Sequence, residues 1–187
     1  PFDNLALRES LSLAIDRNRL VELIGRGEQP AYSIVPPGVA NHAGAQYEWR
    51  SEESSAREAR AQRLYAASGY GQLNPLTLKL TYDVGDIHER IALAVSAMWR
   101  EVLGVHIELE KKEWKYFLDT RDDRSAWEIM RFSWFGDYND PLTFAEIFHS
   151  NSVQNLPKYS DTEFDELVDR AAATGNTVQL DHLVAVL

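Results

Sequence analysis

Hydrophobic and polar positions follow two different periods along the chain, and the two periods alternate. Apolar residues recur at helical spacing behind Asn4 and behind Asp16, and both residues carry the short polar side chain of a helix N-cap. Residues 76–82 instead alternate apolar and polar side chains, which predicts a strand, and further strands are predicted over 105–109 and 127–135. Strands that alternate with helices predict an α/β fold in which helices cover a mixed, mostly parallel sheet.

Other signals predict where individual helices begin and end. Ser55 and Ser160 each have a glutamate three residues later, which predicts a capping box and a helix start. Asp86 begins a long helix that ends at Gly104, and the period predicts its inward face as Ile87, Ile91, Ala94, Val95, Met98 and Val102. A polar loop is predicted over 121–125. The last apolar residues, 180–187, are still in helical period, and the chain starts abruptly, so we expect a fragment truncated at both ends.

The most informative stretch is the predicted strand over 127–135 and the turn after it. Gly136 ends this aromatic-rich strand, and Asp140 before Pro141 is typical of an N-cap followed by proline at the first helical position. These assignments leave Asp137 without a structural role. An acid at the carboxyl end of a strand lies where α/β sheets bind ligands. A turn acid that bonds its own backbone is the structural alternative.

Composition and charge exclude several classes of protein. The 187 residues carry a net charge of -10, which disfavours nucleic acid as a partner and is compatible with amine-bearing ligands. There is no cysteine, so disulfides and Cys-ligated zinc are excluded, and no stretch is apolar enough to span a membrane. No phosphate loop, nucleophile elbow or zinc helix is present, and Pro141 interrupts a calcium-loop reading of the acidic turn. We therefore expect no cofactor and no metal.

Five stretches, taken in order, resemble one known family. They are residues 8–17, residues 27–37, Asp86-Ile-His88, Glu113-Trp-Lys115 and residues 134–141. The chain resembles the second lobe of bacterial oligopeptide-binding proteins, the extracytoplasmic receptors of peptide ABC importers. The resemblance implies that residues 1–187 are a partial lobe of a two-lobed, class II periplasmic-binding-protein fold. It also implies a periplasmic or membrane-anchored location, a membrane permease as partner, and a first lobe supplied by the same polypeptide.

The resemblance also implies the charged contacts with a peptide. Asp137 would pair with the α-amine, which is positively charged at neutral pH. Arg131 would meet the carboxylate of a tripeptide, and its position six residues before Asp137 suits a short extended peptide. His88, in the first turn of its helix, would meet the carboxylate of a longer peptide. The structural alternatives are an ion pair of Arg131 with Glu128 or a surface acid, and a solvated His88.

The remaining implied contacts are apolar or use the backbone. Trp114 and Trp134 would line side-chain pockets, although both could equally be core residues. Ser133 and Phe135 would offer backbone N–H and C=O groups to an extended peptide, as in strand addition. Tyr32, in the proline-rich segment, would also face the ligand. Recognition through the backbone explains low sequence selectivity, because every peptide has the same main chain.

Three other functions remain open from the sequence. A hydrolase would use Asp137 and His88 as an acid–base pair. The same fold could bind dipeptides, cell-wall peptides, nickel complexes or sugars. A third possibility is an interaction module without a small ligand, which would leave the turn from Asp137 to Pro141 without a function.

Overall fold

The computed structural model describes residues 1–42, 44 and 46–176, and these fall into two compact units. The first unit comprises Pro1–Pro30 and Ser51–Phe132, and the second comprises Ala31–Arg50 and Ser133–Leu187. The predicted final helix over 177–187 lies outside the described residues. None of the helices in the described ranges has both the length and the apolar composition that crossing a membrane requires.

Helices and strands alternate in the first unit. Its elements are α1 (Leu5–Leu13), α2 (Arg17–Ile24), α3 (Ser54–Ala67), β1 (Thr77–Asp83), α4 (Asp86–Leu103), β2 (His106–Lys112), α5 (Trp114–Asp122) and β3 (Ile129–Met130). Among the described residues these strands form one parallel sheet in the order β2-β1-β3. The prediction of an α/β fold is therefore confirmed. Because β1 and β3 are neighbours and parallel, their carboxyl ends lie at the same edge of the sheet.

Several helix ends are where the sequence predicts them. The side chain of Asn4 accepts a hydrogen bond from the Leu7 N–H group at 3.3 Å. The side chain of Asp16 accepts two, from the second and third residues of α2. Gly25 and Gly104 end α2 and α4 in the left-handed conformation, with φ of 67° and 74°.

The core of the first unit lies between the sheet and the helices. Leu78, Leu80 and Tyr82 of β1 are buried, as the alternating pattern predicts. The indole of Trp99 in α4 is also buried, and its N–H group donates to the carbonyl oxygen of Leu11 at 2.8 Å. The buried face of α4 differs from the predicted one and consists of Ala92, Val95, Met98, Trp99 and Leu103. These residues recur every three or four positions and form one stripe, which is rotated around the helix from the predicted stripe, and α4 packs against α2 and α3 as well as the sheet.

Other sequence predictions are wrong in detail. Among the described residues, the strand predicted over 127–135 is only Ile129–Met130, because β3 is an edge strand that pairs with β1 alone, and β1 ends at Asp83. Helix α5 extends through Asp122 into the predicted polar loop, and a 3₁₀ turn over Arg124–Ala126 follows.

Both predicted capping boxes are also wrong. Helix α3 begins at Ser54, two residues before the start that an N-cap at Ser55 predicts, and it has no side-chain cap. Asp161, rather than Ser160, caps the last described helix.

The second unit has little regular structure. It contains the short helix α6 (Leu142–Ala145) and the longer α7 (Thr162–Thr174), with 3₁₀ turns over Glu48–Ser51 and Glu146–Phe148. Its apolar contacts form two clusters, one around Phe164 and Val168, the other around Val35 and Phe144. Asn155 is buried, and its amide bonds the backbone of Phe148, His149 and Tyr159, which satisfies the polar groups of this irregular loop.

Candidate functional site

The acidic turn that follows Gly136 belongs to the second unit, and its first acid is free. The side chain of Asp137 is exposed, and its carboxylate makes no hydrogen bond or ion pair with any residue in the described part of the chain. Its backbone N–H group donates to Thr143 Oγ1 at 3.1 Å. The turn is therefore held by its backbone, and the Asp137 carboxylate is available to a cation.

The other polar residues of the turn hold it in place. Asn139 Oδ1 accepts from the backbone N–H group of Ala40 at 2.9 Å, and Asp140 Oδ2 accepts from the Asn41 amide at 3.1 Å. Asp140 Oδ1 also accepts from the N–H group of Leu142, the first residue of α6, at 2.9 Å, but the N-cap position itself is Pro141, one residue later than the sequence predicts. The proline-rich segment thus fixes the turn that carries the free acid.

Gly136 allows this turn to pack closely against α6. A Cβ atom at this position would lie 2.9 Å from Phe144 Cζ and 3.0 Å from Thr143 Cγ2. Phe144 is buried, so its ring has little freedom to move away. Position 136 therefore requires glycine because the turn lies so close to α6, and not because of an unusual backbone angle.

Tyr138 points its hydroxyl group at a carboxylate. The hydroxyl donates to Glu146 Oε1 at 3.0 Å. Partial burial, this hydrogen bond and the negative charges of Glu146, Asp140 and Asp137 together raise the pKa of Tyr138 to about 12. The phenol therefore stays neutral, and the turn keeps its local negative charge.

The segment Phe132–Gly136, which leads into the turn, leaves its backbone unbonded. Within the described ranges, none of its N–H or C=O groups makes a hydrogen bond. The side chains of Ser133 and Phe135 are exposed, the latter by 85%. Exposed, unpaired backbone groups are what an added peptide strand requires.

Two aromatic residues predicted to bind ligand are packing residues of the second unit. Trp134 packs against Val35 and Phe144, and its indole N–H group donates to the carbonyl oxygen of Thr143 at 3.0 Å. Tyr32 is only 7% exposed and meets Trp49 edge to face, with ring centroids 5.6 Å apart. Trp134 is half-buried and retains some exposed surface, whereas the buried Tyr32 offers a ligand very little.

The first unit brings Arg131 and His88 together around a third residue, Asp83. Asp83 is the last residue of β1, and its side chain is 9% exposed. Its Oδ1 atom lies 2.8 Å from His88 Nδ1, a buried atom that makes no hydrogen bond within the described residues, and 3.5 Å from an Arg131 guanidinium nitrogen. Arg131 reaches this position because its backbone N–H group donates to the carbonyl oxygen of Thr81 at 2.9 Å.

The partner of Arg131 is not the one considered from the sequence. Glu128 accepts from the backbone N–H group of Lys79 at 2.7 Å, and Asp83 is the acid that faces the guanidinium. Burial lowers the pKa of Arg131, and the Asp83 charge opposes that change, so the group stays charged. Asp83 ends a strand with an acid, the same signal that drew attention to Asp137, and the sequence reasoning missed it.

Trp114 has a different environment from Trp134. It is 57% exposed at the start of α5 and stacks on Phe117, with ring centroids 5.8 Å apart. The core alternative for Trp114 is therefore wrong. Its exposed face is free to contact an apolar side chain.

The predicted residues thus fall into two groups. Arg131, His88 and Trp114 belong to the first unit, whereas Asp137, Trp134, Ser133, Phe135 and Tyr32 belong to the second. A cavity of about 380 Å³ in the first unit is lined by none of them; its lining is Thr77, Leu78, Lys79, Glu108, Ser125, Ala126, Trp127 and Glu128. Among the described side chains, no group of three or more His, Cys, Asp or Glu residues is placed to hold a metal ion.

Comparisons with known proteins give one family. The chain is 34% identical over 186 residues to the periplasmic oligopeptide-binding protein OppA of Salmonella typhimurium, covering 99% of this chain and 34% of the relative. It is 34% identical over 180 residues to the periplasmic murein peptide-binding protein MppA of Escherichia coli, covering 96% of this chain and 33% of the relative. The structure of Haemophilus influenzae OppA in complex with the peptide RPPGFSPFR matches with a TM-score of 0.89 at 30% identity, covering 99% of this chain and 37% of that one.

The extent of these matches defines what the chain shares with its relatives. The chain spans about a third of the length of the two curated relatives. The sequence profile of the bacterial extracellular solute-binding proteins, family 5 (middle region), matches residues 1–155. The chain therefore belongs to family 5 of the bacterial extracellular solute-binding proteins.

Proposed function

We propose that this chain is part of the second lobe of an extracytoplasmic receptor that captures oligopeptides for an ABC importer. A first lobe from the same polypeptide would complete the binding site, and a membrane permease would receive the peptide. The matched relatives support this proposal, since those named OppA are periplasmic oligopeptide-binding proteins and one is solved with a bound peptide. A role in binding rather than catalysis agrees with a family of solute-binding proteins.

One observation carries the proposal: the exposed Asp137 carboxylate has no partner among the described residues. A fixed acid without a counterion suits the α-ammonium group of a peptide, because charge-assisted hydrogen bonds are the stronger ones. The unbonded backbone of Phe132–Gly136 precedes this acid directly in the chain and would pair with the main chain of the same peptide.

The charged residues of the first unit would bind peptide carboxylates. Arg131 keeps guanidinium N–H groups that Asp83 does not use, and these would donate to the C-terminal carboxylate of a tripeptide. His88 would meet the carboxylate of a longer peptide. Trp114 and the exposed part of Trp134 would contact side chains, and Tyr32 would support the turn segment rather than touch ligand.

Blocking the peptide amine tests the proposal. In the full-length polypeptide, an N-acetylated tripeptide should bind at least about tenfold more weakly than its free-amine counterpart, a loss of about 1.4 kcal/mol. Isothermal titration calorimetry with the two peptides measures this difference. The variant Asp137→Asn should lose affinity for the free-amine peptide by a similar factor. It should then bind the free-amine peptide little more tightly than the acetylated one.

A matched control separates the anchor from general charge. Glu166 is an exposed acid on α7, so Glu166→Gln removes the same charge from the second unit without touching the turn. The control should bind both peptides as the unchanged protein does. Equal affinity of the unchanged protein for free and acetylated peptides would refute Asp137 as the amine anchor.

The proposed division into lobes has its own test. The 187-residue chain alone should bind peptides far more weakly than the full-length polypeptide, because half of the enclosing surface would be absent. Micromolar or tighter binding by the 187-residue chain would contradict a site shared between two lobes.

Cell-wall peptides are the second candidate ligand. The murein peptide-binding relative matches this chain at the same identity as the oligopeptide-binding one. Competition between a murein tripeptide and an ordinary tripeptide for the full-length polypeptide separates the two. A preference of tenfold or more for the murein peptide would favour this second function.

A further inference from the structure

The buried acid of the first unit, Asp83, occupies a place that the proposed function does not require. Its carboxylate lies against both groups that would meet a peptide carboxylate, 3.5 Å from Arg131 and 2.8 Å from His88. No other carboxylate in the described part of the chain pairs with either residue. Asp83 is therefore the counterion of this group.

A counterion already in place changes what a ligand gains. With Asp83 ionised, one negative charge neutralises the guanidinium of Arg131 before any peptide arrives. A peptide carboxylate that approaches Arg131 then also approaches Asp83, and two negative charges in a poorly solvated place repel each other. This repulsion offsets the attraction to Arg131. The peptide carboxylate therefore gains little binding free energy when it leaves water and contacts Arg131.

The position of Asp83 makes this effect difficult to avoid. The residue ends β1, where its backbone is fixed by pairing with Lys112 of β2, and its side chain is 9% exposed. Gly85 lies close to the imidazole of His88, since a Cβ atom there would be 3.1 Å from Nδ1. With the backbone paired and the imidazole packed close, the carboxylate has little room to leave when a ligand arrives.

We propose that Asp83 reduces the receptor's discrimination between peptide lengths, because it weakens the binding of the peptide C-terminal carboxylate. The inference rests on the proposed function, because it concerns the peptide carboxylate at Arg131 and His88. Peptides of different lengths place their carboxylates at different positions. A receptor that gains little from that carboxylate discriminates little between lengths, and affinity then depends on the amine and the main chain.

The test compares a tripeptide with its C-terminal amide, both with free amines. Dissociation constants are measured by calorimetry for the unchanged full-length polypeptide and for Asp83→Asn, which keeps the shape of the side chain and removes its charge. We expect the preference for the free acid over the amide to rise at least about tenfold in Asp83→Asn. The affinity for the amide should stay within about threefold.

Two controls make the result specific. Glu108→Gln removes an exposed charge from β2, in the same unit, and should leave the acid-to-amide preference unchanged. Circular dichroism checks that each variant folds, and Asp83→Ser replaces Asp83→Asn if the latter does not fold. An equal rise in Glu108→Gln would overturn the inference in favour of a general charge effect.

The remaining outcomes separate this inference from the proposed function. If acetylation weakens binding but Asp83→Asn leaves the acid-to-amide preference unchanged or lowers it, the inference fails and the peptide receptor stands. A lowered preference would show that Asp83 orients Arg131 instead of competing with the ligand. If the unchanged protein binds neither peptide, the proposed function fails, and the inference fails with it.

Discussion

The two units of this chain differ in whether the charges of their candidate ligand-binding residues are already paired. In the first unit, Arg131 and His88 face the buried Asp83 at the edge of a parallel sheet. In the second unit, Asp137 stands exposed on an irregular turn, and no described residue pairs with its carboxylate. We call Arg131, His88 and Asp83 the closed group, because their charges face one another, and Asp137 the open group.

This difference shows where binding free energy is available. In the proposed function, a ligand ammonium at Asp137 would form a charge-assisted contact that no described residue makes. A ligand carboxylate at Arg131 would meet a guanidinium that already has Asp83 as its partner. The open group therefore suits affinity, whereas the closed group contributes mainly to the stability of the first unit.

The largest expected effect is on folding. Asp83→Ala leaves the partly buried guanidinium of Arg131 without a counterion and should destabilise the chain by about 3 kcal/mol. Asp137→Ala removes an exposed, unpaired acid and should change the free energy of unfolding by less than about 0.5 kcal/mol. Urea unfolding of both variants measures the difference, and equal losses would remove the contrast between the two groups.

The next effect concerns the close approach at the open group. Gly136→Ala places a methyl group 2.9 Å from Phe144 Cζ and should cost about 2 kcal/mol through overpacking. Gly71→Ala is the matched control, because a Cβ atom at Gly71 meets nothing within 4 Å. Thermal unfolding of the pair checks the prediction, and a Gly136→Ala variant as stable as the control would contradict the packing described here.

A third effect compares the two ends of one peptide. Acetylating the amine should weaken binding at least about tenfold, a loss of about 1.4 kcal/mol. Amidating the carboxylate should weaken binding by less than about threefold, because Arg131 is already paired with Asp83. Calorimetry on three matched tripeptides gives both numbers. A greater loss from amidation than from acetylation would reverse the assignment of open and closed groups.

The smallest effect is a titration at the open group. Burial, the hydrogen bond to Glu146 and nearby negative charges raise the pKa of Tyr138 from 10.0 to about 12. The neutral phenol is favoured in the folded chain, so its contribution to stability is complete below pH 10 and is lost as the pH rises through 12. Ultraviolet titration should show one tyrosine ionising near pH 12, and this component should be absent in Tyr138→Phe.

Asp137→Asn provides a check on the same titration. Since the charge of Asp137 is one of the causes that raise the pKa of Tyr138, removing it should lower that pKa. An unchanged titration would show that the two side chains do not share one electrostatic environment.

Local patterns in the sequence account for much of the fold. Asn4 and Asp16 cap their helices, and Gly104 ends α4, because the caps depend on residues only a few positions apart. The alternation over β1 holds only in its first half, because Leu78 and Leu80 are buried as predicted but Thr81 is buried as well. The predicted strand over 127–135 fails because the aromatic residues favour an extended chain but cannot supply a neighbouring strand.

The candidate site residues show the same contrast between local patterns, which the sequence contains, and contacts between distant residues, which it does not. The sequence indicated Asp137 because every other polar residue of its turn had a structural role, and its carboxylate is unpaired among the described residues. It named Glu128 or a surface acid as the alternative partner of Arg131 and did not indicate Asp83. Arg131 and Asp83 lie 48 positions apart in the chain, and no local pattern carries that information.

The sequence by itself determined the family, the α/β class, the N-caps at Asn4 and Asp16, and Asp137 as an acid without a structural role in its turn. Tertiary structure decided which charges are neutralised, since Asp83 reaches Arg131 only because β1 and β3 lie side by side. It also decided that Tyr32 is buried and that Trp114 is exposed. The physical reason is that caps and turns are short-range interactions, whereas burial and ion pairing depend on which distant segments the fold brings together.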